Sequence, residues 1–223
     1  RIILAVILVL VVLVFTVLIF AASLGLDFTD ESFYLLWIIS PSDYPLAFTL
    51  FGFAYHPLFV AVGENIFLLR VANILILGAT GLALGHSALR ATIPNRLSGT
   101  RWVIAVGLAV SAVLPVTVVS ATPSHNSLSL TGLMVCAVGF LYTGRDAPRV
   151  ALVGWALMPI GFWIVFLARP TSALLLLVLL PVALALARRF TKAGFAVGVC
   201  VSILVVSTSI WAISGSLSAF LNR

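Results

Sequence analysis

The feature that most constrains this chain is a succession of uncharged apolar runs, each close to the length of a membrane crossing, broken by short polar connections. The first, Ile2 to Leu24, carries no charge and at about 1.5 Å per residue covers a hydrocarbon core of roughly 30 Å. A secretory signal has an apolar core of only about 7 to 15 residues before its cleavage site, so a retained helix is expected instead. Further runs follow at approximately Ile66 to Leu89, Trp102 to Ala121, Leu128 to Tyr142, Val150 to Leu167, Ser172 to Ala187 and Gly194 to Ile213. Composition agrees, because 63% of the chain is hydrophobic and 8% is charged, against about 25% charged in soluble domains. The expected fold is therefore all-α: a polytopic transmembrane helix bundle of about seven spans, forming one domain over residues 1–223.

A net charge of +6 would point to nucleic acid in a soluble protein. Here the basic residues gather in the connections Arg90 through Arg101, Arg145 through Arg149 and Arg188 through Lys192, between nearly neutral ones. That alternation is the cytoplasmic-loop bias of membrane proteins, which makes the lipid bilayer the partner and excludes nucleic acid. The region Leu46 to Gly63 is also uncharged, but it carries His56-Pro57 in its middle, where proline removes a helical hydrogen bond. If it does not span, Arg1 and all three basic connections share one side, as the positive-inside rule requires. It is read as interfacial or re-entrant. Cys136 and Cys200 fall inside apolar runs and are expected to be buried small hydrophobes, without disulfide or metal-ligand spacing.

On this topology the first outer loop, about residues 25–65, holds an acidic island from Gly25 to Tyr34. Asp27 or Thr29 would cap a short helix beginning near Asp30, where carboxylates suit the helix dipole. Phe33, Tyr34 and Trp37 give this helix an aromatic side fitted to a membrane interface, and Pro41 and Pro45 end it. Five of the six acids, Asp27, Asp30, Glu31, Asp43 and Glu64, lie on the outer side. His56, Arg70, His125 and Arg169 join them, with Asn73 on the Arg70 face of its helix and Asn126 beside His125. His86 lies near the inner end of its helix, as an interfacial residue would.

Taken singly, each of these has a plain structural explanation: solvated acids, snorkelling arginines, a turn at His56, an ordinary helix start at His125. Together they place carboxylates, guanidiniums and imidazoles on one membrane face. Guanidinium groups bind phosphate through paired hydrogen bonds, and an acid beside them can accept a proton from a hydroxyl.

The order of a long apolar helix, then Asp30-Glu31-Ser32-Phe33-Tyr34, His56-Pro57-Leu58 and Arg70-Val71-Ala72-Asn73, resembles the amino-terminal part of the GT-C superfamily of polytopic glycosyltransferases. The likeness is to the branch of protein mannosyltransferases and lipid A aminoarabinose transferases. Thr122-Pro123-Ser124-His125-Asn126 and Ala168-Arg169-Pro170-Thr171 resemble further positions of bacterial members. The resemblance implies a polyprenyl-phosphate-linked sugar donor, a glycan, lipid or protein acceptor, and a single inverting displacement. It implies Asp30 as general base, Glu31 orienting the acceptor or Asp30, and Arg70, Arg169 and His56 stabilising charge on the departing phosphate. His125, Asn126, Asn73 and Tyr34 complete the expected substrate-binding set. No cofactor is predicted; some members use a divalent cation, but two adjacent acids without further ligands make a poor closed metal site. Family members have more helices and often a soluble outer domain, so this chain, starting at Arg1, reads as the amino-terminal part of a longer enzyme. The implied home is a bacterial cytoplasmic membrane, with a cytoplasmic amino terminus and a periplasmic or extracellular active face. Two other readings stay open: a transporter or flippase of lipid-linked sugars, for which inverted repeats are expected and none is found, and a catalytically silent fragment or subunit.

Overall fold

A computed structural model of the protein describes residues 2–24, 30–44, 49–92, 98–119 and 121–221. The expected caps Asp27 and Thr29, the helix-ending Pro45, Arg1 and residues 93–97 of the first basic connection lie outside the described residues. The order is α1 (Ile2–Ala22), α2 (Asp30–Ile39), a 3-10 turn (Pro41–Asp43), α3 (Phe51–Ala61), α4 (Ile66–Thr92) and α5 (Ser98–Val119), followed by α6 (His125–Thr143), α7 (Pro148–Ala168), α8 (Pro170–Leu186), α9 (Lys192–Ser214) and α10 (Leu217–Leu221). No strand occurs among the described residues. The protein is an all-α polytopic bundle, and its long apolar helices make it an integral membrane protein.

Among the described residues five helices are long and apolar enough to cross a bilayer: α1, α4, α6, α7 and α9. Two of the expected spans are shorter as apolar elements, because α5 offers Gly99–Leu114 and α8 runs only 17 residues from Pro170 to Leu186. At 11 residues α3 is about 16 Å long and cannot bridge a hydrocarbon core, so the stretch around His56-Pro57 does not span. Pro57 nevertheless lies inside α3 instead of breaking it. Packing supplies the difference: Phe51, Tyr55 and Phe59 on one face of α3 join Leu35 and Ile38 of α2, Leu69 of α4, Leu128 of α6 and Trp163 and Leu167 of α7 in one buried cluster. Pro57 points outward and is exposed.

Two helix pairs approach closely through small residues, the usual route to tight helix packing where lipid offers no hydrophobic contrast. On α6 and α7, Gly132 meets Gly161 and Gly139 meets Gly154, so the helices run antiparallel; a Cβ at Gly161 would lie 2.6 Å from the Gly132 carbonyl oxygen. On α4 and α5, Gly81 faces Ala109 and Ala112, and Gly85 faces Ala105. Leu18 and Ala22 at the end of α1 close a second core with Ile74, Leu77, Val113 and Met134. At the basic end of the bundle, Arg145 Nη2 donates to the Ser87 carbonyl (2.9 Å) and Arg189 Nη1 to the Phe140 carbonyl (2.7 Å). His86 there stacks on Trp102, with ring centroids 4.4 Å apart. Cys136 is buried, but Cys200 is exposed, because α9 turns that side away from the bundle.

Candidate functional site

Successive residues of a helix point about 100° apart, and at the start of α2 this divides the acidic pair. Glu31 turns inward and is 6% exposed, whereas Asp30 is exposed. The Glu31 carboxylate meets the guanidinium of Arg70 from α4, with Arg70 Nη2 to Glu31 Oε1 at 2.7 Å. Arg70 Nε donates to Thr122 Oγ1 at 3.0 Å, and Nη1 donates to the carbonyls of Ala22 (2.8 Å) and Leu24 (2.9 Å). The Thr122 hydroxyl in turn donates to Glu31 Oε1. One buried guanidinium thus binds together the end of α1, the start of α2, α4 and the segment leading into α6. A buried charge is tolerable when paired and hydrogen-bonded in this way, and with its donors so committed Arg70 is a poor partner for an incoming phosphate.

A neutral network lies one turn further along α4. The Tyr55 hydroxyl of α3 donates to Asn73 Oδ1 (3.0 Å) and lies 3.2 Å from Ser127 Oγ of α6. Burial pushes the Tyr55 phenol up to about 12, with the Ser127 hydrogen bond opposing. His56, the next residue, has its Nδ1 2.8 Å from the Ile38 carbonyl oxygen, so the imidazole fastens α3 to the end of α2.

The outward-facing groups form a different set. Tyr34 stands one turn after Asp30, half-buried, with its ring edge-on to His125 (5.6 Å between centroids) and to Phe51 (5.7 Å). Ser124 places His125 and Asn126 by capping α6: the Ser127 N–H donates to Ser124 Oγ, and the Ser124 N–H donates to Ser127 Oγ at 2.8 Å. Arg169 occupies the corner between α7 and α8, where Pro170 starts the new helix. Its exposed guanidinium donates through Nη2 to Asn126 Oδ1. Burial raises the Tyr34 pKa, the Asp30 carboxylate raises it further, and the Arg169 charge opposes both. The charges of Asp30 and Arg169 also both reach His125. Asp30, Tyr34, His125, Asn126 and Arg169 therefore share one surface at the end of the bundle opposite the basic connections.

The structure thus sorts the expected residues into three groups. Asp30, Tyr34, His125, Asn126 and Arg169 come together; Glu31 and Arg70 sit beneath them in the buried lock; Asn73 and His56 belong to the contacts that seat α3. Asp43 in the 3-10 turn and Glu64 in the turn after α3 are exposed. Sequence reasoning missed Tyr55 and Ser127, and it quoted Thr122 in a motif without giving it a role. Thr122 and Ser127 flank the Pro123-Ser124 start of α6 with the hydroxyls that a helix start attracts. For Tyr55 the one signal is a tyrosine among apolar residues beside His56-Pro57. An exposed carboxylate, a phenol, an imidazole and a guanidinium on one face can accept a proton, bind hydroxyl groups and hold a phosphate.

Comparison with protein-family models, curated proteins and solved structures finds no match for the chain. What the fold itself defines is an integral membrane protein with a helical bundle and a polar cluster at one end.

Proposed function

We propose that the protein is an integral membrane glycosyltransferase of the GT-C kind, moving a sugar from a polyprenyl-phosphate donor to an acceptor hydroxyl. The observation that carries this reading is the grouping of Asp30, Tyr34, His125 and Arg169 on one surface, with Asn126 holding the Arg169 side chain. In this reading the acceptor oxygen attacks the anomeric carbon and the bond from that carbon to the phosphate oxygen breaks. The acceptor proton passes to Asp30, and the leaving polyprenyl phosphate keeps the bonding electron pair. Arg169 neutralises the charge that grows on the phosphate, the kind of preorganised electrostatic help that often dominates catalysis. Tyr34, His125 and Asn126 are left to receive hydroxyl groups of sugar or acceptor.

Glu31 and Arg70 take positioning roles here, because their contacts fix the start of α2 and with it the direction of Asp30. His56 and Asn73 act in the same way on α3. The active face would be periplasmic or extracellular in a bacterial cytoplasmic membrane, with the basic connections in the cytoplasm.

The test is release of polyprenyl phosphate from a panel of lipid-linked sugars by membranes holding the protein in its longest natural form. Wild type should release it, and Asp30→Asn and Arg169→Gln should lose release while inserting normally. Release absent from wild type across the panel, or unchanged in Asp30→Asn, would overturn the assignment. A head-group transporter built on the same charges would move lipid between leaflets without breaking the sugar-phosphate bond.

A further inference from the structure

A groove of about 370 Å³ opens between α7, α8 and α9, within the size range of small-molecule pockets. Its lining is almost wholly apolar. The floor is Trp155 and Met158 of α7 with Leu184 of α8, all buried. The rim includes Leu177, Phe195 and Val199, which are exposed, so the groove is open on the side where a bilayer would lie. Gly198 lines the groove, and Gly194 lets α9 lie directly against Trp155, since a Cβ there would run into the indole nitrogen.

One end of the groove adjoins the last basic connection. Phe190 lines it, with its ring 5.9 Å from that of Trp155, and belongs to the connection Arg188-Arg189-Phe190-Thr191-Lys192. Arg189 is committed to the bundle through the Phe140 carbonyl and by lying over the Phe140 ring at 4.6 Å. Arg188 and Lys192 are exposed, and their side chains make no hydrogen bond or ion pair among the described residues. Arg188 is held at a positive φ of 53° at the turn between the helices. A hydrocarbon-lined slot whose Phe190 wall belongs to a turn carrying two exposed cations matches an amphiphile with an apolar tail and an anionic head. Basic pockets between transmembrane helices bind anionic lipid head groups on this principle.

We infer that this groove is a binding site for an anionic glycerophospholipid of the adjoining leaflet, its acyl chain over Trp155 and its phosphate between Arg188 and Lys192. The site is separate from the Asp30 and Arg169 surface, because α8 runs from Arg169 at one end of the bundle to the Arg188 turn at the other. The inference therefore does not depend on the proposed transferase activity.

The test is native mass spectrometry of the full chain released from mixed micelles holding phosphatidylglycerol or phosphatidylcholine with identical acyl chains. Wild type should retain phosphatidylglycerol preferentially. Arg188→Gln and Lys192→Gln should each weaken that retention about fivefold and leave phosphatidylcholine unchanged. Val199→Trp, which fills the rim from an exposed position, should also lower phosphatidylglycerol retention. Equal retention of the two lipids by wild type would overturn the site without recourse to any variant. Retention unchanged in both charge variants, or unchanged in Val199→Trp with its helical content intact, would overturn it as well.

Discussion

Arg70 and Glu31 hold each other at 2.7 Å with both side chains nearly sealed from solvent, and around that ion pair the start of α2 is fastened to the bundle. Breaking one partner leaves the other charged, buried and uncompensated, which typically costs about 3–5 kcal/mol. Glu31→Gln and Arg70→Met should each lower the thermal unfolding temperature in detergent markedly. Their combination should cost less than the sum of the two, since neither charge is then stranded. Additive losses would mean that the two charges are not energetically coupled.

Asp30 is the contrasting neighbour. Because it is exposed, Asp30→Asn should leave unfolding within about 0.5 kcal/mol of wild type. Under the proposed function it should nevertheless reduce phosphate release by at least about 100-fold, the lower range for a general base. Release and unfolding measured on one preparation separate the two carboxylates cleanly.

Tyr34 reports the charges around it. Its phenol ionises above the ordinary 10.0 because of burial first and Asp30 second, with Arg169 opposing. Spectrophotometric titration should therefore find the Tyr34 pKa lowered in Asp30→Asn and raised in Arg169→Gln. A Tyr34→Phe difference spectrum isolates the signal. If neither substitution moves it, the three side chains do not share a surface.

Tyr55 links stability to pH. Its folded pKa of about 12 lies above the ordinary 10.0, so the folded state holds the proton more tightly. The associated stability is complete below about pH 10 and declines as pH rises toward 12. Tyr55→Phe should remove that part of the alkaline destabilisation while costing roughly 1 kcal/mol at neutral pH for the lost hydrogen bonding. Unfolding curves from pH 8 to about pH 11 check both parts.

Glycine spacing gives an internal control. Gly161→Ala would put a Cβ 2.6 Å from the Gly132 carbonyl oxygen and the Cys136 nitrogen, both backbone atoms, so the helices must separate. The expected loss is about 1–3 kcal/mol. At Gly107 nothing lies within 4 Å of the added Cβ, and Gly107→Ala should be neutral or stabilising by up to about 1 kcal/mol. Equal effects at the two positions would contradict the close approach of α6 and α7.

Much of the fold was legible in the chain because membrane crossing is a local demand. Hydrocarbon requires each span to satisfy its own backbone, so an apolar run such as Ile66 to Leu89 declares a helix without reference to its neighbours. The same reasoning kept Leu46 to Gly63 out of the set of spans, and the 11-residue α3 agrees. Helix ends were less legible: α6 begins at His125 rather than Leu128, because the Ser124 cap recruits three more residues. The Cys200 expectation failed for the related reason that apolar character does not distinguish a core-facing residue from one facing lipid.

The sequence by itself determined that this chain lives in a bilayer, is helical, and carries most of its acids and histidines apart from its basic connections. Tertiary structure alone decided which of those groups are exposed and which are buried. Asp30 and Glu31 are equivalent by composition, yet a turn of about 100° between them sends one outward and the other to Arg70. Arg70 and Arg169 likewise look alike in the chain, but the first is surrounded by four partners and the second stands exposed beside Asn126. The physical reason is that insertion depends on hydropathy summed along a segment, whereas a side chain's role depends on contacts between segments distant in the chain. Thr122 meets Arg70 across 52 positions, and that pairing exists only once the helices have packed.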